Sequence, residues 1–207
     1  MKETVYHYSK LRDWRDIAHP MSKQQGLRAG LRLGKEYEPA VERGALFALL
    51  SPRPTEWTDS QDFPDGPRPW EYLRQTVGKL LLEVDVDPDR VHVIDWGHRE
   101  GLLREPVAEL TVPGRFAHRT RLAAEQAYIE SAVPLSEYRS RDLQYGLPEV
   151  IIEHRIGLDD VRVSADQSLL DEHLKEGHPK WNGGDLFMMD FVPGLEDLRE
   201  KYATAVA

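Results

Sequence analysis

The apolar positions of the chain fall into short runs bounded by glycine and proline. One of these runs, residues 45–50, ends abruptly in Ser51-Pro52-Arg53-Pro54. An apolar run of this length predicts a buried strand, because it is shorter than most helices. Neither proline can donate a hydrogen bond to a sheet, so the strand must stop there. Arg53 is therefore expected just past a core strand, on a stiff loop where a cation is well placed to bind an anion.

Two further strands are predicted near the two ends of the chain. Residues 4–9 are aromatic and β-branched and alternate, which places His7 and Tyr8 on opposite faces of a strand. Residues 149–156 follow a proline and alternate in the same way, with Glu149 at the start of the strand. These two strands carry the polar side chains that are candidates to surround Arg53.

The clearest strand pattern lies in residues 79–96. Apolar side chains at positions 82, 84 and 86 alternate with Glu83, Asp85 and Asp87, and Pro88-Asp89 predicts a turn to a returning strand at residues 91–94. The pattern therefore predicts a hairpin. The three alternating carboxylates line one face of a strand. That row fits either a metal site or a solvated sheet face, and the solvated face is the favoured interpretation.

Helical spacing and loop composition account for most of the remaining chain. Residues 58–69 are rich in Asp, Pro and Gly and predict a loop or lid, and residues 97–113 predict irregular structure. The glycine-punctuated stretch 26–34 favours a basic connection over a phosphate-binding loop, because it lacks the Lys-Ser/Thr ending. Apolar residues at helical spacing predict helices over residues 11–17, 70–77, 119–130, 166–176 and 194–202.

Composition narrows the class of protein. A chain of 207 residues favours one domain over residues 1–207, with 166–207 as a helical C-terminal segment. There are no cysteines, which excludes disulfides and zinc–sulfur sites. No apolar run approaches the ~20 residues needed to span a bilayer, and the N-terminus lacks a signal-peptide core. The cytoplasm is therefore the default location, and no membrane partner is expected. A net charge of −9 argues against a broad nucleic-acid surface, but it is compatible with a local basic groove.

Three segments of the chain resemble one family. The segment Tyr6-His7-Tyr8-Ser9, followed by a short helix, resembles the opening strand of ADP-ribosyltransferase-like proteins. The closest resemblance is to DarT-type DNA ADP-ribosyltransferase toxins. Residues 47–54 (FALLSPRP) resemble the F-x-F-x-P-R-S-P segment of those toxins, and residues 149–158 (EVIIEHRIGL) resemble their late E-V-L-V strand and its continuation.

The chain departs from the family pattern at several positions. Ser9 stands where the family has Thr, Leu50-Ser51 alters the residues before the Pro-Arg pair, and Gly157 stands where a proline is usual. The negative net charge also differs from the positive charge expected of an enzyme that binds DNA.

The resemblance implies a fold, a substrate and roles for individual residues. The implied fold is a single α+β domain with a split, mostly antiparallel sheet flanked by helices. The implied activity is transfer of ADP-ribose from NAD, with NAD as substrate and no metal. Breaking the nicotinamide–ribose bond passes through an oxocarbenium-like state. Glu149 would hold the ribose hydroxyl, stabilise that charge and act as base, with Glu153 as a competing candidate. Arg53 would hold a diphosphate or a target phosphate.

The remaining implied roles belong to the cofactor-binding residues. His7 and Ser9 would hydrogen-bond the sugar and the nicotinamide amide. An aromatic ring would stack on the nicotinamide, and Tyr8, Tyr138 and Tyr145 are the alternatives. Ser51, beside the Pro-Arg pair, completes the set of cofactor-binding residues.

Several functions stay open at this point. By resemblance the acceptor is a nucleic-acid base, with protein as the competitor and an antitoxin as a further partner. NAD hydrolysis on the same fold is an alternative, and so is a non-catalytic binding protein. A DNA acceptor predicts a basic strip near the cleft, formed by Arg28, Arg32, Arg139 and Arg141.

Overall fold

A computed structural model describes residues 1–18, 26–27, 45–60, 69–70, 73, 78–99, 121–175, 195–197 and 200. The strands in this part of the chain are β1 (Glu3–Ser9), β2 (Gly26–Leu27), β3 (Leu46–Ala48), β4 (Leu80–Val86), β5 (His92–Asp95), β6 (Val133–Pro134), β7 (Pro148–Ile152), β8 (Ile156–Gly157) and β9 (Val161–Val163). The α-helices are α1 (Leu11–Ala18), α2 (Thr55–Thr58), α3 (Arg121–Glu130), α4 (Leu135–Ser140) and α5 (Ser168–Lys175). Short 3-10 turns cover Trp96–Arg99 and Leu158–Asp160.

The strands form antiparallel sheets that meet along β1 and β3. One sheet has the order β1-β4-β9, a second has the order β3-β7-β5-β6, and β2 pairs with β8. Tyr6 joins the first two sheets, since its N–H donates to the Leu49 carbonyl at 2.9 Å and its carbonyl accepts from the Leu49 N–H at 2.7 Å. We call this pairing the β1–β3 junction. The predicted α+β class with antiparallel sheets is confirmed.

Apolar side chains cover one face of the sheet that contains β1 and β4, and they cover the other face at the end where Leu81 lies. Val5 pairs with Val84, and Tyr8 pairs with Leu81. Paired residues in a sheet point to the same side, and successive residues along a strand alternate sides. Val5 and Tyr8 are three positions apart, so the two pairs face opposite sides. The first pair belongs to the larger core cluster, and the second belongs to a cluster with Trp57, Trp96 and Leu147. Burial on both faces explains why β4 contains the consecutive buried leucines 80–82.

The predicted hairpin between residues 82 and 94 is wrong in its pairing. β4 pairs with β1 and β9, whereas β5 pairs with β6 and β7. A turn is present at the predicted place, where the Arg90 N–H donates to the Asp87 carbonyl at 2.9 Å. The turn carries the chain from one sheet to the other, and each strand then pairs with segments distant in sequence.

The other predicted elements are confirmed in part. Helices α1, α3 and α5 lie within or close to their predicted ranges, and α2 and α4 were not predicted. The strand predicted over 149–156 divides into β7 and β8, which belong to different sheets. The predictions for residues 28–34, 61–68 and 100–113, and most of those for 70–77 and 194–202, fall outside the described residues. None of the helices in the described ranges has the length and apolar composition needed to cross a bilayer.

The row of carboxylates on β4 forms ion pairs with an arginine on the neighbouring strand. Arg162 on β9 lies 2.7 Å from the Glu83 carboxylate and 2.7 Å from the Asp85 carboxylate. Asp85 also accepts a hydrogen bond from the Thr4 hydroxyl at 2.7 Å. Within the described residues, no group of three or more acidic or histidine side chains is arranged to hold a metal. The ion pairs of Glu83 and Asp85 with Arg162 are compatible with the predicted solvated sheet face.

Gly78 packs directly against the end of β1, and we expect an alanine there to destabilise the fold. A Cβ atom at position 78 would lie 1.8 Å from the carbonyl carbon and oxygen of Ser9. These are backbone atoms, so the strand itself would have to shift. We expect Gly78→Ala to lower the free energy of unfolding by about 1–3 kcal/mol, measured by urea denaturation.

Gly157 supplies the matched control. A Cβ atom at this position meets no atom within 4 Å, and the backbone has the extended conformation φ −68°, ψ 157° that any residue adopts. Gly157→Ala should therefore change stability by less than about 0.5 kcal/mol. Equal effects of the two substitutions would contradict a tight contact between Gly78 and β1.

Candidate functional site

The three segments that carry the family resemblance are neighbours in space. The β1–β3 junction joins residues 6–9 to residues 47–54. On the other side of β3, Phe47 pairs with Ile151 and Ala48 pairs with Val150 of β7. Strand β3 therefore lies between the strand of His7 and the strand of Glu149.

His7 lies at the β1–β3 junction with one ring nitrogen bound to β3. Its Nδ1 atom is 2.7 Å from the Phe47 carbonyl oxygen. A carbonyl only accepts, so Nδ1 carries the proton and Nε2 of the neutral ring is an acceptor. Burial lowers the pKa of His7 from its usual value of 6.5, and the hydrogen bond to Phe47 opposes that change. His7 is thus a neutral imidazole near pH 7, suited to accept a hydrogen bond from a hydroxyl or an amide.

Tyr8 connects β1 to the loop of Arg53. Its hydroxyl donates to the Pro52 carbonyl at 2.7 Å, and its ring contacts the edge of Trp70 with centroids 6.1 Å apart. Burial raises the pKa of Tyr8, and the nearby Arg53 opposes this. Tyr8 is 8% exposed, so its ring serves the packing of the loop.

Arg53 stands on a loop that is fixed on both sides. Pro52 before it accepts the Tyr8 hydrogen bond, and Pro54 after it is buried. Helix α2 begins directly after Pro54 and buries Trp57 completely. The guanidinium lies 2.9 Å from the Glu172 carboxylate on α5, and this contact is the main cause that raises the pKa of Arg53. Arg53 follows a core strand as predicted, and its anionic contact in this structure is a carboxylate of the same chain.

Glu149 is a buried carboxylate on an interior strand of the second sheet. Only 5% of the residue is exposed, and it pairs with Ile94 of β5. The Trp57 indole N–H donates to the carbonyl of the preceding Pro148 at 2.9 Å, which ties the Arg53 loop to the strand of Glu149. Glu153, the competing candidate, is exposed beyond the end of β7. A buried carboxylate acts more strongly on a nearby positive charge than an exposed one, because the local dielectric is lower.

Asp95 is a structural carboxylate that the sequence analysis missed. Its Oδ1 accepts from the N–H groups of Gly97 at 3.1 Å and Leu147 at 2.9 Å, and its Oδ2 accepts from Gly146 at 2.8 Å. The residue is 5% exposed. It therefore fixes the chain entering β7, directly before Glu149. The signal in the sequence is an acidic residue ending an apolar run and followed by Trp-Gly, a pattern that does not reveal the partner segment.

The remaining predicted cofactor-binding residues differ in their burial and in the segments that they contact. Ser9 is buried, and its hydroxyl donates to the Lys10 carbonyl at 3.3 Å. Ser51 is half-buried next to Pro52. The Tyr145 hydroxyl donates to the Ser131 carbonyl, and its ring packs against Tyr138 at 5.1 Å. The hydroxyl and the ring of Tyr145 thus contact residues at the end of α3 and in α4.

The arginines expected to form a basic strip contact acidic side chains. Arg139 lies 3.8 Å from Glu3, and Arg141 pairs with Glu137 one turn earlier in α4. Arg28 and Arg32 fall outside the described residues. Each described arginine of the predicted strip therefore has a carboxylate partner on the protein.

Comparison with known proteins gives no match. No family model, no curated protein and no solved structure matches the chain. The resemblance to ADP-ribosyltransferase-like proteins therefore rests on the residues of the three segments.

Proposed function

We propose that the protein transfers ADP-ribose from NAD to a macromolecular acceptor at the β1–β3 junction. The observation that carries the proposal is that β3 connects the three resembling segments. His7 contacts the Phe47 carbonyl of β3, and β3 pairs with the strand of Glu149. Three segments far apart in sequence, which carry an imidazole, a guanidinium and a buried carboxylate, thus lie side by side through β3.

These groups fit the chemical parts of NAD. A guanidinium binds a diphosphate by charge-assisted hydrogen bonds, which is the role of Arg53. The Nε2 acceptor of His7 suits a ribose hydroxyl or the nicotinamide amide. The carboxylate of Glu149 suits a ribose hydroxyl and the positive charge that develops on the sugar. The donors and acceptors present match the substrate without a metal.

The reaction replaces one glycosidic bond of NAD by another. The bond between ribose C1′ and the nicotinamide nitrogen breaks, and its electron pair leaves with nicotinamide. The resulting oxocarbenium-like sugar is stabilised by the Glu149 carboxylate. A nucleophilic nitrogen or oxygen of the acceptor then bonds to C1′, and its proton passes to Glu149 or to solvent.

Nicotinamide release tests the proposal. The purified chain is incubated with NAD and with DNA, RNA or a protein extract, and free nicotinamide is measured by chromatography. We expect release that increases with the added acceptor. If NAD is neither bound in calorimetry nor consumed under any of these conditions, the proposal is wrong.

Mass spectrometry of the acceptors identifies the substrate class. By resemblance we expect the ADP-ribose adduct on a nucleic-acid base, and an adduct on protein side chains is the competing outcome. A third outcome, nicotinamide release with no adduct on either polymer, would assign NAD hydrolysis instead. Growth arrest on expression would further support a toxin, for which an antitoxin partner in the cytoplasm is proposed.

A further inference from the structure

We propose that the Glu172 carboxylate binds Arg53 at the position where a substrate phosphate would bind. A phosphate-bearing ligand must therefore displace Glu172 from Arg53. This inference rests on the proposed function and adds a residue of α5 that determines ligand affinity. The observation behind it is the 2.9 Å contact between the Arg53 guanidinium and the Glu172 carboxylate.

The backbone on the arginine side is rigid, so the side chain is the part free to change partner. Pro52 is held by the Tyr8 hydroxyl at 2.7 Å, and Pro54 is buried at the start of α2. Helix α2 is anchored by the Trp57 indole, which donates to the Pro148 carbonyl. A ligand that binds Arg53 therefore contacts a guanidinium whose backbone position is fixed.

The glutamate side is rigid as well. The Gln167 side-chain amide, just before α5, donates to the carbonyls of Leu81 at 2.9 Å and Ser164 at 2.8 Å, and accepts from the Leu81 N–H at 3.1 Å. Leu169 and Leu170 are buried. The helix that carries Glu172 is thus attached to β4, and Glu172 stays beside the loop whichever partner Arg53 takes.

The contact between the two side chains is weak enough to exchange. The Arg53 and Glu172 side chains are 39% and 42% exposed. Exposed ion pairs contribute little because water and salt screen them. A carboxylate and a phosphate each offer a guanidinium two anionic oxygens that accept a pair of charge-assisted hydrogen bonds. Glu172 therefore competes with the ligand, and its removal raises affinity by about two- to fivefold.

Calorimetry on the full chain tests the competition without any need for NAD cleavage. The probes are inorganic pyrophosphate, ADP-ribose and a short single-stranded oligodeoxynucleotide. We expect Glu172→Gln to tighten the binding of pyrophosphate and ADP-ribose by about two- to fivefold. A gain confined to the oligodeoxynucleotide would also support displacement and would assign the phosphate to a nucleic-acid acceptor.

Asp166 provides a control of equal charge. Its Oδ1 caps the N-terminus of α5 by accepting from the Ser168 N–H at 3.0 Å, and an asparagine keeps that acceptor. The charge of Asp166 also acts on Arg53 and helps to raise its pKa, so Asp166→Asn removes a neighbouring negative charge as Glu172→Gln does, while the 2.9 Å contact between Arg53 and Glu172 stays in place. We expect Asp166→Asn to change affinity by less than about twofold. Adding Arg53→Gln to Glu172→Gln should abolish the gain.

Two results would overturn the inference. One is an equal gain in affinity from Glu172→Gln and Asp166→Asn, which would reflect the loss of negative charge near Arg53 and not the loss of the contact. The other is unchanged or weaker binding of every probe in Glu172→Gln, including no detectable binding. Nicotinamide release without a gain in ligand affinity would refute this inference and would leave the proposed function intact. A gain in ligand affinity without NAD cleavage would support this inference and contradict the proposed function.

Discussion

Replacing Glu149 by glutamine is expected to lower the rate of nicotinamide release by about 10²–10³-fold. Glutamine has nearly the same shape but no negative charge, so it cannot stabilise the oxocarbenium-like sugar. Because Glu149 is only 5% exposed, its charge acts at low dielectric and is poorly replaced by solvent. Single-turnover kinetics with NAD measure the change in the chemical step.

Glu153 is the matched control on the same segment. It is exposed beyond the end of β7, and Glu153→Gln should leave the rate within about twofold. Urea denaturation of both variants shows whether the fold is intact. A folded Glu149→Gln protein that cleaves NAD at the wild-type rate would exclude Glu149 from the chemistry. Loss of the activity in Glu153→Gln instead would assign the catalytic carboxylate to Glu153.

Removing the carboxylate of Asp95 should be the most damaging change to stability. Asp95→Ala leaves the N–H groups of Gly97, Gly146 and Leu147 without their acceptor. Buried donors that lose a charged acceptor carry a large desolvation cost. We therefore expect the free energy of unfolding to fall by about 3–5 kcal/mol in urea denaturation. Activity should fall as well, because this loop leads into the strand of Glu149.

Two further variants define the origin of the effect. Asp95→Asn retains one oxygen but turns an NH₂ group towards a backbone N–H, so it should also destabilise the protein, by about 1–3 kcal/mol. Asp89→Ala removes an exposed carboxylate from the turn before β5 and should cost less than about 0.5 kcal/mol. If Asp95→Ala were no worse than Asp89→Ala, the three hydrogen bonds would contribute nothing measurable.

Local pattern was sufficient to predict the strands that carry the candidate site. The alternation of residues 4–9 is a local signal that correctly places β1. The apolar run before the prolines correctly places β3, although that strand ends at Ala48 and not at residue 50. Pairing is a different matter, because any strand with two apolar faces is compatible with several neighbours. The turn at Pro88-Asp89 looks the same whether the chain returns to β4 or crosses to another sheet, so the hairpin prediction was wrong.

The sequence did not predict which residues the polar side chains contact. Arg53 and Glu172 are 119 residues apart, and the helical pattern of α5 predicts the helix but not which turn faces the loop. That orientation depends on the Gln167 amide, whose hydrogen bonds to Leu81 have no local signature. The role of Asp95 was hidden for the same reason, since its acceptor function is defined by a loop about fifty positions later.

The β1–β3 junction also has a consequence for the motion of the molecule. The Tyr6 and Leu49 amide protons are each held in a hydrogen bond between the two sheets. Exchange of these protons with deuterated water requires the sheets to separate there, whereas Val93 and Val150, paired within one sheet, exchange only when that sheet opens. The exchange rates of these two amides thus measure how often the sheets separate at the junction, independently of any catalytic assay.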